Sequence, residues 1–306
     1  DDMKELERVP ERLGIGTLQA GRVHRFFRIG VAPSRAPARH EEGIGIMAAS
    51  ATRARYPDLA GRAVFVSGGG SGIGAAFVRS FASQGCNVAF IDIADAPSQA
   101  LVAELGPAVR YWPCDVRDIG ALRAAIAEAR RALGPIRVLI NNAARDDRHP
   151  FDAVTPEYWD DNQAVNLRHQ FFAAQAVAPQ MEGAGGGSII NLGSVSWMRG
   201  RPELSGYTTA KAAINGLTRT LARELGGRNI RVNCIVPGAI ATDRQRALWV
   251  SPEKEQQFLD QQCLKFRLTE DDVARTALFL ASNEARGITG QNLIVDAGLA
   301  QTSVVA

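Results

Sequence analysis

From residue 57 onward the sequence predicts a doubly wound α/β domain, one parallel sheet covered by helices on both faces. Three observations carry that expectation. Seven short β-rich runs alternate with stretches whose apolar residues recur every three or four positions. The runs are almost continuously apolar, as strands buried on both faces are, instead of alternating apolar with polar. Glycines stand where helices should end, at Gly85, Gly134 and Gly226.

The elements follow in order. "RAVFVS" (62–67) reads as the first strand, and "GIGAAFVRSFASQG" after it as a helix. "NVAFID" (87–92) and "VRYWPC" (109–114) are the next strands, followed by the helical "IGALRAAIAEARRAL". "VLIN" (138–141) leads into one long helical stretch, "EYWDDNQAVNLRHQFFAAQAVAPQM". "SIINLG" (188–193), the helix "SGYTTAKAAINGLTRTLARELG", and the strands "RVNCIV" (231–236) and "NLIVD" (292–296) complete the set, with a last helix in "DDVARTALFLAS". A seven-stranded parallel sheet in a single domain, residues 56–306, is the expected architecture.

Bulk properties narrow the function. The chain has 306 residues, 46% hydrophobic and 22% charged, enough to bury a full core. A net charge of +3 points neither to nucleic acid nor to a membrane surface. Cys86, Cys114, Cys234 and Cys263 have no metal-like spacing and read as reduced thiols of a cytoplasmic protein. His149 and His169 have no partners at metal spacing, so no metal is expected. Residues 1–55 differ in character, with scattered Arg, Gly and Pro and no sustained period; they read as a poorly ordered or non-native extension, with Met47 a plausible start.

"VFVSGGGSGIGAAFV" (64–78) ends a strand, turns through glycines and opens a helix. Gly68, Gly72 and Gly74 occur where the backbone must turn sharply, touch a pyrophosphate and let helix meet strand. The helix N-terminus offers free N–H groups and the positive end of its dipole to an anion. This is the Rossmann-like arrangement for a dinucleotide. Asp92 ends the second strand, where a carboxylate accepts hydrogen bonds from an adenosine ribose and repels a 2′-phosphate. Ile93 follows it and the turn contains no Arg or Lys, so the expected cofactor is NAD.

In "SGYTTAK" (205–211), Tyr207 and Lys211 share one helical face. Taken with "SGGGSGIG" (67–74), "CDV" (114–116), "NNAA" (141–144), "VNL" (165–167), "INLGSVS" (190–196), "PGAIAT" (237–242) and "VDAG" (295–298), the chain resembles the short-chain dehydrogenase/reductase family from about residue 57 to 300. The departure is "NNAA", where the family usually has NNAG. The resemblance implies a catalytic group of Asn166, Ser194, Tyr207 and Lys211. It places Asp115 at the adenine, Asn142 and Ala143 at the adenosine ribose, and Tyr207 and Lys211 at the nicotinamide ribose. Pro237, Gly238, Ile240 and Thr242 would flank the nicotinamide, and Ser71, Ile73, Val116 and Ala144 join the cofactor residues. A phenol of pKa roughly 10 is a poor base near neutrality. The Lys211 ammonium and the cationic nicotinamide both favour phenolate, so Tyr207 should act as the base. Asn166 should hold a water that links Lys211 to solvent.

Within the family, "DDRH" (146–149), "VNLRHQFF" (165–172), "SVSW" (194–197), "TDRQ" (242–245) and "QQCLK" (261–265) resemble bacterial NAD-dependent sugar dehydrogenases of the D-xylose type. The implied reaction oxidises an aldose at its anomeric carbon to a lactone. Asp146, Arg148, His149, Ser194, Trp197, Arg201, Arg244, Gln245 and Trp249 are the expected substrate residues, all following strand C-termini. The alternatives are an NAD-dependent dehydrogenase of steroid, acyl or cyclic alcohols, and a non-enzymatic NAD-binding regulator. The family also implies a homotetramer.

Overall fold

The computed structural model describes residues 54–242 and 251–301. The extension before residue 54, the expected substrate residues Arg244, Gln245 and Trp249, and the tail beyond residue 301 lie outside the described residues.

Seven strands form one sheet: β1 (Ala63–Ser67), β2 (Asn87–Asp92), β3 (Val109–Pro113), β4 (Ile136–Asn141), β5 (Gly187–Leu192), β6 (Ile230–Pro237) and β7 (Asn292–Val295). Their order is β3-β2-β1-β4-β5-β6-β7, and every pairing is parallel. All seven expected strands are present, with ends that shift by one or two residues. The chain winds outward from β1 to β3, then crosses back to β4 beside β1 and winds the other way. That reversal opens a crevice beyond the C-terminal ends of β1 and β4, the place where such sheets bind ligands.

The helices are α1 (Gly72–Ser83), α2 (Asp95–Leu105), α3 (Ile119–Leu133), α4 (Pro156–Gln163), α5 (His169–Gly183), α6 (Ser205–Leu225), α7 (Pro252–Gln261) and α8 (Glu270–Ala281). Alternate residues of each strand feed two buried layers. Val64, Val66, Val88 and Phe90 pack with Phe77, Phe81, Val273 and Ala277 of α1 and α8. Phe65, Ala89, Ile91 and Leu139 pack on the opposite face with Leu122, Ile126, Val177 and Leu221 of α3, α5 and α6. Asp118 caps α3 by accepting from Ala121 N at 2.9 Å, and Thr269 with Asp272 forms a capping box on α8. Each such cap contributes about 1 kcal/mol.

Two helices carry little sequence signal. α2 buries only Ser98 and Leu101, and α7 is rich in charged and amide side chains, so neither has a broad apolar stripe. The long helix expected over 157–181 is in fact three pieces, because a π-helical segment, Ala164–Arg168, separates α4 from α5. Asn166 lies inside it. Its side-chain Nδ2 donates to Asn162 O at 3.1 Å, giving that carbonyl a donor where the α-helical ladder changes pitch.

Candidate active site

The glycine turn joins β1 to α1. Gly68 has φ 67°, in the left-handed region, and a Cβ there would lie 2.8 Å from Ala143 Cα. At Gly74 a Cβ would overlap the Gly68 carbonyl oxygen, so the turn can close only on glycine. Ser71, the N-cap of α1, makes no side-chain bond to the first turn, which leaves those N–H groups without a capping oxygen. Ile73 packs partly into the core, and Gly72 faces Thr242, whose Cγ2 is 3.6 Å from a Cβ built there. This is a cradle that any side chain would fill, and it fits a pyrophosphate.

Asp92 does more than end β2. Its Oδ2 accepts from Gly70 N and its Oδ1 from Ala94 N, both at 2.8 Å, so the carboxylate anchors the glycine turn while facing the crevice. Ile93, 75% exposed, follows it. Just after β4, Asn142 Nδ2 donates to Gly68 O at 2.8 Å, and Ser67 Oγ accepts from Asn142 N and Ala143 N. Ala144 is exposed beyond them. Val116 is buried, while Asp115 is gripped by Arg117, whose hydrogen bonds hold the Asp115 carboxyl below its usual range. Across the crevice Pro237 ends β6 and pairs with Val295; Gly238 is needed because a Cβ would meet Asp296 Cβ at 2.6 Å. Ile240 is buried and bridged to Leu268.

The structure brings Tyr207 and Lys211 together on α6, with Lys211 Nζ 5.5 Å from the Tyr207 ring centroid. Lys211 is 1% exposed and its Nζ donates to Leu192 O, the last residue of β5, at 2.8 Å. Burial lowers its pKa to about 8, against a smaller upward pull from Cys234 and Asp146. Ser194 follows β5 by two residues, and its Oγ accepts from Ser196 N at 3.2 Å. Asn166 is anchored through its side chain to the loop after β4. Its Nδ2 donates to Arg145 O at 3.0 Å and its Oδ1 accepts from Arg145 N at 2.9 Å. The side chain is therefore committed to pinning the loop after β4, and the Asn166 carbonyl accepts from Gln170 Nε2 at 3.3 Å.

Two loops and α7 make the rim. Asp146 and Arg148 are exposed on the loop after β4, Arg148 being 4.0 Å from Glu203. His149 N donates to Glu203 O at 2.8 Å, and its ring stacks on Tyr158 at 3.7 Å, so one face of this expected substrate residue is already covered. Trp197 is 37% exposed on the loop after β5. Arg201 on the same loop lies over the Phe258 ring of α7, and burial lowers its pKa. Arg199 Nη2 donates to Gln261 Oε1 at 2.6 Å, a second tie to α7.

Sequence reasoning missed two features. Asp115, Arg117, Asp161, Arg145 and Asp147 form a continuous chain of ion pairs from the expected adenine end to the substrate rim. Hydrogen bonds from Arg117 first, and from Arg145, hold the Asp161 carboxyl below its usual range. No local spacing announces it, because its members come from three separate segments. Glu203, at φ 61°, is a second feature without a sequence signal, a non-glycine in the left-handed region just before α6.

A glycine-turn crevice at the sheet reversal, with a tyrosine and a buried lysine one helical turn apart beside it, defines an oxidoreductase of the dinucleotide-binding α/β class. The family model described as enoyl-(acyl carrier protein) reductase matches residues 68–300, and the chain belongs to the short-chain dehydrogenase/reductase family. It is 51% identical over 249 residues to the probable galactose dehydrogenase GalD of Rhizobium meliloti (strain 1021), covering 80% of this chain and 97% of that one. It is 50% identical over 247 residues to D-xylose 1-dehydrogenase of Caulobacter vibrioides, covering 79% and 97%. Among solved structures, 7α-hydroxysteroid dehydrogenase in complex with NADH and 7-oxo glycochenodeoxycholic acid superposes with TM-score 0.76 at 34% identity, covering 79% of this chain and 96% of that one. Among the described residues no helix is long and apolar enough to cross a membrane.

Proposed function

We propose that this dehydrogenase oxidises an aldose, of pentose or deoxyhexose type, at its anomeric carbon to the lactone, with NAD as cofactor. The observation that carries the substrate class is the identity of about half with two sugar dehydrogenases along nearly their whole length. The polar rim of Asp146, Arg148 and Arg201 beside Trp197 supports it: the charged groups suit sugar hydroxyls, and an indole can stack on the apolar face of a pyranose. NAD in preference to NADP is supported by Asp92, a carboxylate at the end of β2 beside the glycine turn, which would repel a 2′-phosphate, with the uncharged Ile93 next to it.

When bound, the nicotinamide supplies the hydride acceptor. The protein's residues do the rest. Ser194 Oγ donates to the oxygen of the anomeric hydroxyl and orients it, and the hydroxyl proton passes to Tyr207 Oη. The Lys211 ammonium stabilises the tyrosinate, and its lowered pKa lets Nζ exchange a proton near the working pH. Asn166 keeps the loop after β4 in place through Arg145. Anomeric hydroxyls are more acidic than ordinary alcohols, which eases the proton transfer. Screening a panel of aldoses against NAD and NADP, followed by the absorbance of the reduced cofactor, tests both parts. Turnover of steroids or cyclic polyols but no aldose would sink the substrate reading.

The same reading includes a homotetramer in the cytoplasm. Phe171 on α5 is 39% exposed and Ile294 on the edge strand β7 is also 39% exposed, apolar surface of the kind a two-fold contact covers. Three of the four free thiols, Cys86, Cys114 and Cys234, are buried, which suits a reducing compartment. Light scattering should give about four times the 32.8 kDa chain mass. A stable, active monomer would refute the assembly.

A further inference from the structure

We propose that His169 is a positioning residue for the dinucleotide, holding the loop after β4 against the glycine turn through a fixed Nε2–H···O=C bond to Ala143. His169 is the first residue of α5, directly after the π-helical segment, and is fully buried. Its Nε2 lies 3.1 Å from Ala143 O. A carbonyl oxygen can only accept, so Nε2 carries the proton. Nδ1 is then the bare nitrogen, and it has no hydrogen-bond partner among the described residues. Burial first, and the nearby Lys211 ammonium second, lower the imidazole pKa to about 3, so the ring stays neutral and the tautomer stays fixed over any working range.

The bond matters because of what Ala143 touches. Its backbone lies against Gly68: a Cβ added at Gly68 would sit 2.8 Å from Ala143 Cα and 3.1 Å from Ala143 N. The Ala143 N–H is held on the other side by Ser67 Oγ at 3.2 Å. The backbone of one residue is thus fixed at its N–H by β1 and at its carbonyl by α5, and that residue forms one wall of the crevice beside the phosphate turn. A wall fixed before the ligand arrives lowers the ordering cost of binding. His169 acts on the cofactor through Ala143 and on the reacting atoms not at all.

This inference rests on the dinucleotide reading and is independent of which alcohol is oxidised. The test measures NAD affinity by calorimetry, without substrate, on wild type, His169→Phe and His169→Gln. Phe keeps the ring's bulk and removes the donor; the Gln amide can place a donor near the position of Nε2. His169→Phe should weaken NAD binding about tenfold, the loss of one hydrogen bond to a partly buried carbonyl. Its kcat at saturating NAD should stay within about twofold, and His169→Gln should recover most of the affinity. Unchanged affinity in folded His169→Phe, or His169→Gln no better than Phe, overturns the proposal. Should the Phe variant not fold, nitrogen-15 NMR of the wild-type histidines decides. A neutral Nε2–H tautomer for His169 upholds the bond, and an Nδ1–H or charged ring removes it. A wild type that bound no dinucleotide would instead sink the cofactor reading and this inference with it.

Discussion

Lys211 Nζ donates to the main-chain carbonyl of Leu192 at 2.8 Å, which ties the first half of α6 to the C-terminal end of β5. One bond therefore fixes the distance between the helix that carries Tyr207 and the strand that delivers Ser194 two residues later. It also gives a buried ammonium a strong acceptor, which offsets part of its desolvation.

Tyr207→Phe should abolish turnover and leave NAD affinity nearly intact, because only the proton acceptor is lost. General acid–base groups contribute about 10²- to 10⁴-fold. Steady-state kinetics should show kcat below about a hundredth of wild type, with the calorimetric Kd for NAD little changed. Greater residual turnover would show that another group takes the proton.

Asp92→Ala combined with Ile93→Arg should move preference toward NADP by removing the repulsion and adding a phosphate partner. The structure adds a cost. Asp92 also holds the N–H groups of Gly70 and Ala94, so the variant should lose about 1–3 kcal/mol of stability as well. The ratio of kcat/KM for the two cofactors, read beside the urea midpoint, separates these effects. A wild type that already prefers NADP would overturn the role given to Asp92.

Asn166→Ala should destabilise the fold and the site together. It strands the N–H and C=O of Arg145 and removes a donor from Asn162 O. With about 1–3 kcal/mol for each buried group left unsatisfied, a total near 2 kcal/mol or more is expected from denaturant unfolding. A neutral substitution would mean that the loop after β4 is held by its ion pairs alone.

Acid stability should depend on His169. Its folded pKa, about 3, is below the unfolded value of about 6.5, so between these limits the unfolded chain binds the extra proton. The contribution is complete above pH about 6.5 and is lost as pH falls toward about 3. Denaturant midpoints of wild type should therefore fall more steeply over that window than those of His169→Gln. Parallel curves would show that the imidazole is not held neutral.

Residues 1–46 have no periodic apolar face to bury, so their deletion should leave the melting temperature and kcat unchanged. A drop of several degrees on deletion would show that the extension is docked on the domain.

The parts of this protein that were legible in its sequence are those whose physics is local. The apolar runs that became β1 to β7, the glycine turn from Gly68 to Gly74 and the one-turn spacing of Tyr207 and Lys211 each depend on neighbours a few residues apart. α2 and α7 escaped because they bury too little for a periodic pattern. The π-helical break at Ala164–Arg168 escaped because no apolar spacing marks it, and Asn166 inside it bonds Arg145, 21 residues away. The same holds for Arg117 with Asp161, 44 residues apart, and His169 with Ala143, 26 apart. Charges and a histidine are compatible with many surfaces when read along the chain. Only the sheet reversal, which brings the ends of β1, β4 and β5 to one crevice under α5 and α6, decides which of them meet.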